Sequence, residues 1–260
     1  LLERPAAVLA RADAALTDDE DASFTERRIG PWRITGVLGR GGMGAVYRGE
    51  RVEGGFQQPA AIKLIRLGMD QPELRQRFLR ERQILARLRH PNIATLLDGG
   101  VTDEGAPYFA MELVQGERIT GWCDARHLPV RDRVRLFLQV LDAVAFAHGQ
   151  LVVHRDLKPS NILVDDNGHV CLLDFGIAKL LEEGELEHTG TAGRAFTPEY
   201  ASPEQLHGEP ISTATDLYQL GVLLYALLAQ THPYGLTGGT PLRARLARMD
   251  DDPQPLWEAA

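Results

Sequence analysis

The segment His154-Arg-Asp-Leu-Lys-Pro-Ser-Asn161 holds a carboxylate, an ammonium and a carboxamide within six residues, and Asp174-Phe-Gly176 follows shortly after. The spacing predicts that Asp156 and Asn161 lie in a loop between a helix and a strand, with Asp174 at the end of the next strand. Two carboxylates and an amide oxygen at one loop edge suit a hard cation with oxygen ligands, chiefly Mg²⁺ bound together with phosphates. Lys158, two residues after Asp156, can neutralise a transferring phosphoryl group. A second set lies upstream in Gly39-Arg-Gly41-Gly-Met-Gly44-Ala-Val46. Glycines at this spacing let backbone N–H groups approach phosphate oxygens without a Cβ in the way. Strand-type residues flank this segment on both sides and no helix follows directly, which argues against a strand–turn–helix dinucleotide motif. Lys63 alternates with Ile62 and Leu64 on a strand and so points to the face opposite theirs. Glu81 falls on the apolar stripe Leu74, Phe78, Leu85 and Leu88 of a helix, where a charge is costly unless paired, and Lys63 is the expected partner.

These groups need a frame. Residues 32–65 are split into short β-type segments by glycines and a Gly54-Gly55 turn, which predicts an antiparallel meander. A helix is expected over 72–89, then strands near 93–101 and 107–113. After Gly116 the pattern turns helical. A long amphipathic helix over 131–149 carries Val134, Phe137, Leu138, Leu141, Val144, Ala145 and His148. Short strands over 162–164 and 170–173, a polar loop over 177–204, an apolar helix near 216–229 and a helix over 241–249 follow. A strand-rich part joined to a helix-rich part near 113–116 implies an α+β chain with two lobes.

The 260 residues carry 28 Lys and Arg against 36 Asp and Glu, a net charge of −8. Such a balance disfavours nucleic acid and anionic membranes as partners, since both need clustered positive charge. The first 26 residues alone hold seven acids against two arginines, and a mobile linker is expected there, with a short amphipathic helix near 5–16 as the alternative. Cys123 and Cys171 form no C-x-x-C, so neither a disulfide scaffold nor a thiolate metal site is expected, and a reducing cytoplasm is. Of the eight histidines only His154 falls in a motif, and no pair has zinc-ligand spacing. The longest apolar run, Leu217–Ala229, is 13 residues, short of the roughly 20 that span a bilayer.

In order, these motifs resemble a protein kinase of the bacterial, eukaryotic-like Ser/Thr type, from about residue 30 to 260. The resemblance implies a bilobal α+β fold, with an antiparallel β N-lobe bearing one key helix and a mainly helical C-lobe. Residues 1–29 would be an acidic extension, partly helical or disordered, 30–114 the N-lobe and 115–260 a C-lobe lacking the family's last helices. Those helices would supply an arginine for Glu204, in the Ser202-Pro-Glu204 variant of an Ala-Pro-Glu element. Asp156 would be the base, Asp174 and Asn161 would hold Mg²⁺ (or Mn²⁺), and Lys63, paired with Glu81, would hold the ATP α/β-phosphates under the Gly39–Gly44 loop. Adenine would sit by Leu38, Val46, Ala61 and Leu163, on the backbone of Glu112–Val114, with Met111 gating the pocket, in the cleft between the lobes. His154 would stack with Phe175 and Leu85, and Asp216 would brace the catalytic loop.

Lys158 and Thr197 match Ser/Thr kinases, which makes Ser/Thr hydroxyls of proteins the expected acceptors. Arg155 beside Asp156 implies regulation by phosphorylation at Thr189 or Thr191, with self-association for trans-autophosphorylation. Two rival readings share the motifs: a pseudokinase-like ATP-binding scaffold, and a small-molecule phosphotransferase. Phe175, Lys158, Thr197 and the Ser-Pro-Glu segment speak against the latter.

Overall fold

A computed structural model describes residues 27–41, 44–53, 57–65, 72–175, 199–237, 240, 244, 247–248 and 251–259. The described residues fall into two compact units, one up to Gln115 and one from Gly116 onward.

The first unit is a six-stranded antiparallel sheet with one helix. Its strands are β1 (Arg28–Ile29), β2 (Trp32–Gly41), β3 (Gly44–Arg51), β4 (Pro59–Ile65), β5 (Leu96–Val101) and β6 (Pro107–Glu112), in the order β1-β2-β3-β4-β6-β5. Period-2 alternation gives the sheet two distinct faces. Trp32, Ile34, Ala45, Tyr47, Ala60, Ile62, Tyr108 and Ala110 pack into one buried cluster on the first face. Trp32 is fully buried there, and its indole N–H donates to Asp98 Oδ2 at 3.3 Å. The opposite face follows from register. Gly39 opposes Val46, Val46 opposes Lys63, and Lys63 opposes Phe109. Two residues back along β4, Ala61 opposes Met111. Directly opposed residues share a face, so Gly39, Val46, Lys63, Ala61 and Met111 lie together, away from the core cluster.

Helix α1 (Pro72–Leu85) ends four residues before the predicted 89, and the chain leaves it through turns at 86–87. Phe78 and Leu85 are buried as expected, and so is Leu88 just beyond the helix. The side chain of Leu74 lies outside the described residues.

Between β2 and β3 the chain reverses tightly. Gly44 has φ +139°, and a Cβ there would stand 2.0 Å from the Leu64 carbonyl oxygen. Only glycine fits that approach.

The second unit begins at Gly116, where a Cβ would stand 2.6 Å from the Val164 carbonyl oxygen. A three-stranded antiparallel sheet runs β7 (Glu117–Arg118), β8 (Ile162–Val164) and β9 (Val170–Leu172), in that order. Around it lie α2 (Ile119–Ala125), α3 (Val130–Gly149), α4 (Pro203–His207), α5 (Thr213–Ala229) and α6 (Leu256–Ala259). The short elements β1, β7, α2, α4 and α6 give too few residues for a period and went unpredicted.

The long helix α3 corrects the predicted stripe. Its buried residues are Arg133, Leu136, Phe137, Val140, Ala143, Val144 and Ala147, whereas Leu138 is 55% exposed and Ala145 is also exposed. The stripe is anchored by a charged residue, so a count of apolar positions alone set the phase wrongly. Arg133 donates from Nε to Leu128 O at 3.0 Å, and from Nη1 to Leu227 O at 3.0 Å and Asp124 Oδ1 at 2.7 Å. Helix α5 is buried along most of its length but leaves Leu217 exposed. Of the helix predicted over 241–249, Ala244 is helical, 247–248 form a turn, and the rest lies outside the described residues, as does the alternative helix near 5–16.

Gly44→Ala should lower the unfolding free energy by about 1–3 kcal/mol, the scale of a strained backbone position. Urea titration of the two proteins measures it, and equal midpoints would contradict the crowding seen at Leu64.

Candidate active site

The catalytic-loop residues converge within the second unit. Asn161 Nδ2 donates to the Asp156 carbonyl oxygen at 2.9 Å and to Asp156 Oδ2 at 3.1 Å. Lys158 Nζ lies 2.9 Å from the same Oδ2. A turn of 3₁₀ helix over Pro159–Asn161 makes this possible. It brings residue 161 back toward 156, and Asn161 N donates to Lys158 O at 3.0 Å. With its amide nitrogen committed to Asp156, Asn161 turns its carboxamide oxygen away as an acceptor. That oxygen and the Asp174 carboxylate are the hard donors a divalent cation prefers, so the donor set fits the metal the sequence implies.

Asp174 is positioned through its neighbour. Leu173 N donates to Asn161 O at 2.8 Å, and Leu173 O meets His154 Nε2 at 2.9 Å. Asp174 itself has φ +50°, a left-handed turn that ends the extended run after β9. Phe175 is buried, with its ring 4.8 Å from that of His154.

His154 Nδ1 accepts from Asp156 N at 3.3 Å, so the proton sits on Nε2 and points to Leu173 O. Burial pushes the His154 pKa below its ordinary value, against the pull of Asp216 and of the Leu173 carbonyl. The ring is a neutral spacer between Asp156 and Leu173, not a ligand.

Beneath the loop lies Asp216, with no exposed surface, in the first turn of α5. Its Oδ2 accepts from His154 N at 2.8 Å and its Oδ1 from Arg155 N at 2.8 Å. His148 Nε2, from the last turn of α3, is 2.7 Å from Oδ2. Arg155 has φ +68°, which directs successive amides into one carboxylate.

The Ser-Pro-Glu segment is tied to the same helix. Thr215 donates its hydroxyl to Glu204. Burial would raise the Glu204 pKa, but hydrogen bonds from Thr215, its own backbone and Ser202 outweigh it and hold the carboxyl below its ordinary range. Glu204 thus has a hydrogen-bond partner among the described residues. Tyr200 packs edge-on against His232 at 5.9 Å, and His232 Nε2 bonds Glu199 O at 2.8 Å. Burial, with Glu199 adding to it, pushes the Tyr200 phenol up to about 12.

In the first unit, the predicted nucleotide residues Gly39, Val46, Ala61, Lys63 and Met111 share one sheet face, whereas Glu112 opposes Ala60 of the core cluster. Phe78 of α1 packs on Phe109 at 4.9 Å between ring centroids, and Phe109 opposes Lys63 in the ladder. Glu81 is one helical turn on from Phe78. The helix stripe that carries Glu81 therefore lies over the sheet face that carries Lys63. Glu112 N donates to Thr95 O at 2.9 Å, which fixes the strand end leading into Leu113 and Val114. Leu163 is buried in β8 of the second unit. Thr189, Thr191 and Thr197 lie outside the described residues.

Sequence reasoning missed Gln205 and Gln219, which also bond the catalytic loop. For Gln219 the signal was the one used for Glu81, a polar residue on the buried stripe of an apolar helix; Gln205 lies in a five-residue helix with no stripe to carry one.

Comparison with known proteins decides the family. The chain matches the protein kinase domain over residues 32–250. It belongs to the protein kinase family. The kinase domain is 40% identical over 233 residues to the serine/threonine-protein kinase Pkn1 of Myxococcus xanthus, covering 88% of this chain and 32% of that protein. It is 35% identical over 211 residues to the serine/threonine-protein kinase PrkC of Bacillus subtilis, covering 80% and 32%. The chain thus spans about a third of the length of these curated relatives. A crystal structure of the Mycobacterium tuberculosis PknI kinase domain has a TM-score of 0.63 and 28% identity, covering 91% of this chain and 88% of that one. The fold is that of the kinases.

Because the unfolded chain protonates His154 more readily than the folded one, its contribution to stability is complete above the ordinary histidine pKa of about 6.5 and declines as pH falls below it. His154→Phe should therefore flatten the rise of the urea midpoint between about pH 5 and 6.5. Identical slopes in the two proteins would contradict a neutral buried imidazole.

Proposed function

We propose that this kinase domain transfers the γ-phosphoryl group of ATP to serine and threonine hydroxyls of protein substrates, with Mg²⁺ as the metal. The observation that carries this reading is the convergence of Lys158 and Asn161 on one carboxylate oxygen of Asp156, at 2.9 and 3.1 Å. The two donors fix Oδ2 and so orient the carboxylate, whose Oδ1 would accept the proton of an acceptor hydroxyl. Lys158 serves twice: it orients Asp156, and it offsets charge on the phosphoryl group in flight. Asn161 Oδ1 and Asp174 would hold the cation, which when bound neutralises phosphate oxygens.

In the first unit, Lys63 would bind the α/β-phosphates and Glu81 would orient it. The Gly39–Gly44 turn would cover the phosphates with backbone N–H groups. Leu38, Val46, Ala61, Met111 and Leu163 would take the adenine, along with the backbone of Glu112 and Val114. Residues 30–114 and 115–260 would act as the two lobes. Thr197 would hydrogen-bond Asp156 and Lys158 from the substrate-docking loop, and Thr189 or Thr191 would be autophosphorylated in trans, with Arg155 pairing the phosphate and ordering the loop. The two buried free cysteines suit a reducing cytoplasm. Among the described residues no helix is long and apolar enough to cross a membrane.

Incubated with Mg-ATP, the chain should gain mass in steps of one phosphate. Asp156→Asn should gain it about 10²–10⁴ times more slowly, the usual cost of losing a general base, and should still bind ATP. Equal rates in both proteins would refute the assignment of Asp156.

A further inference from the structure

Two glutamines outside the predicted site grip the peptide units on either side of Asp156. Gln219, in the second turn of α5, accepts at Oε1 from Leu157 N at 2.7 Å. Its Nε2 donates to Gln205 Oε1 at 2.8 Å and approaches Arg155 O at 3.3 Å. Gln205, in α4, donates from Nε2 to Arg155 O at 2.7 Å, and its Oε1 also accepts from Ser202 N at 3.1 Å. Both side chains are buried, Gln219 at 1% exposure and Gln205 at 7%.

We infer that Gln219 and Gln205 are a positioning pair that fixes the direction of the Asp156 carboxylate and makes the Ser202–His207 segment move as one with the catalytic loop. The chemistry of the loop demands a group of this kind. Asp216 takes the amides of residues 154 and 155, and a carboxylate can only accept. What remains beside Asp156 is a carbonyl before it, at Arg155, and an amide after it, at Leu157. A side chain that satisfies both must donate and accept, and a buried carboxamide does so without a charge. The left-handed turn at Arg155 sends its amide to Asp216 and its carbonyl to the glutamines. The Asp156 backbone is thus held on both sides by groups that belong to α4 and α5. The Gln219–Gln205 bond carries the coupling. A shift of the Ser-Pro-Glu segment pulls Ser202 N and Gln205 together, and with them the carbonyl next to the base. The role assigned to Asp156 rests on the proposed function; the clamp itself does not.

The test replaces Gln219 by Met, of similar volume but without hydrogen bonds, and Gln205 likewise, singly and together. Two readouts are taken on folded protein: amide hydrogen exchange of the peptide around 153–158, and the kcat and KM(ATP) of phosphate transfer. Gln219→Met should raise exchange of that peptide at least tenfold, leaving α3 unchanged, because the Leu157 amide loses the side-chain acceptor that protects it. It should lower kcat by roughly tenfold to a hundredfold, as small misplacements of a reacting group do, with KM(ATP) within twofold. Because the glutamines act through one shared bond, the double variant should lose little more kcat than the worse single one. Unchanged exchange, an unchanged kcat in an active enzyme, or strictly additive losses would overturn the clamp. If the wild-type chain transfers no phosphate, the functional reading fails, and the exchange readout still decides the clamp. If Gln219→Met does not fold, Gln219→Asn, which withdraws the same amide by one methylene, replaces it under the same criteria.

Discussion

The second unit is organised around one carboxylate with no exposed surface. Leaving the Asp216 charge uncompensated in the interior would cost several kcal/mol. It is compensated by His154 N and Arg155 N at 2.8 Å each and by His148 Nε2 at 2.7 Å. Those bonds require consecutive amides to face one point, which extended backbone, with its amides alternating in direction, does not offer. The chain meets the requirement with the positive φ of Arg155. The strain of that turn and the burial of the charge stabilise each other, and neither persists without its partner. From this anchor the catalytic loop inherits its shape. His154 sits between Asp156 and Leu173, Asn161 folds back on Asp156, and Leu173 holds Asp174 at the end of its strand.

The first unit solves a different problem. A sheet with one buried face can expose a second, chemically distinct one at little cost, because register alone keeps the two apart. The tryptophan-centred cluster fixes the register. The row Gly39, Val46, Lys63 and Phe109 then lies on the other face without needing contacts of its own to place it. Helix α1 reads the same register through Phe78 on Phe109, so its position along the sheet is set relative to Lys63.

How much of this was legible beforehand follows from what each element asked of its residues. Strands β2 to β6 and helices α1, α3 and α5 announced themselves through period and glycine punctuation, and the motifs around Asp156 and Asp174 through residue type and order. The phase of α3 did not, because Arg133 is buried by hydrogen bonds that a hydrophobic count ignores. The partner of Glu204 did not either: Thr215 is eleven residues away, and its hydroxyl becomes available only when α4 packs on α5. The partners of Gln205 and Gln219 were hidden for the same reason. A glutamine in an apolar helix says that something polar is met there, but which backbone groups it meets is a property of the fold.

The most direct test of this account is the rate of phosphate transfer by Asp216→Asn, whose side chain keeps the shape but can accept through one oxygen only. The account predicts a rate at least tenfold below that of the wild-type chain with ATP binding retained, since one of the two loop amides then faces an N–H₂ group. A variant that transfers phosphate at the wild-type rate would contradict it, and would mean that the loop around Asp156 keeps its shape without the buried charge.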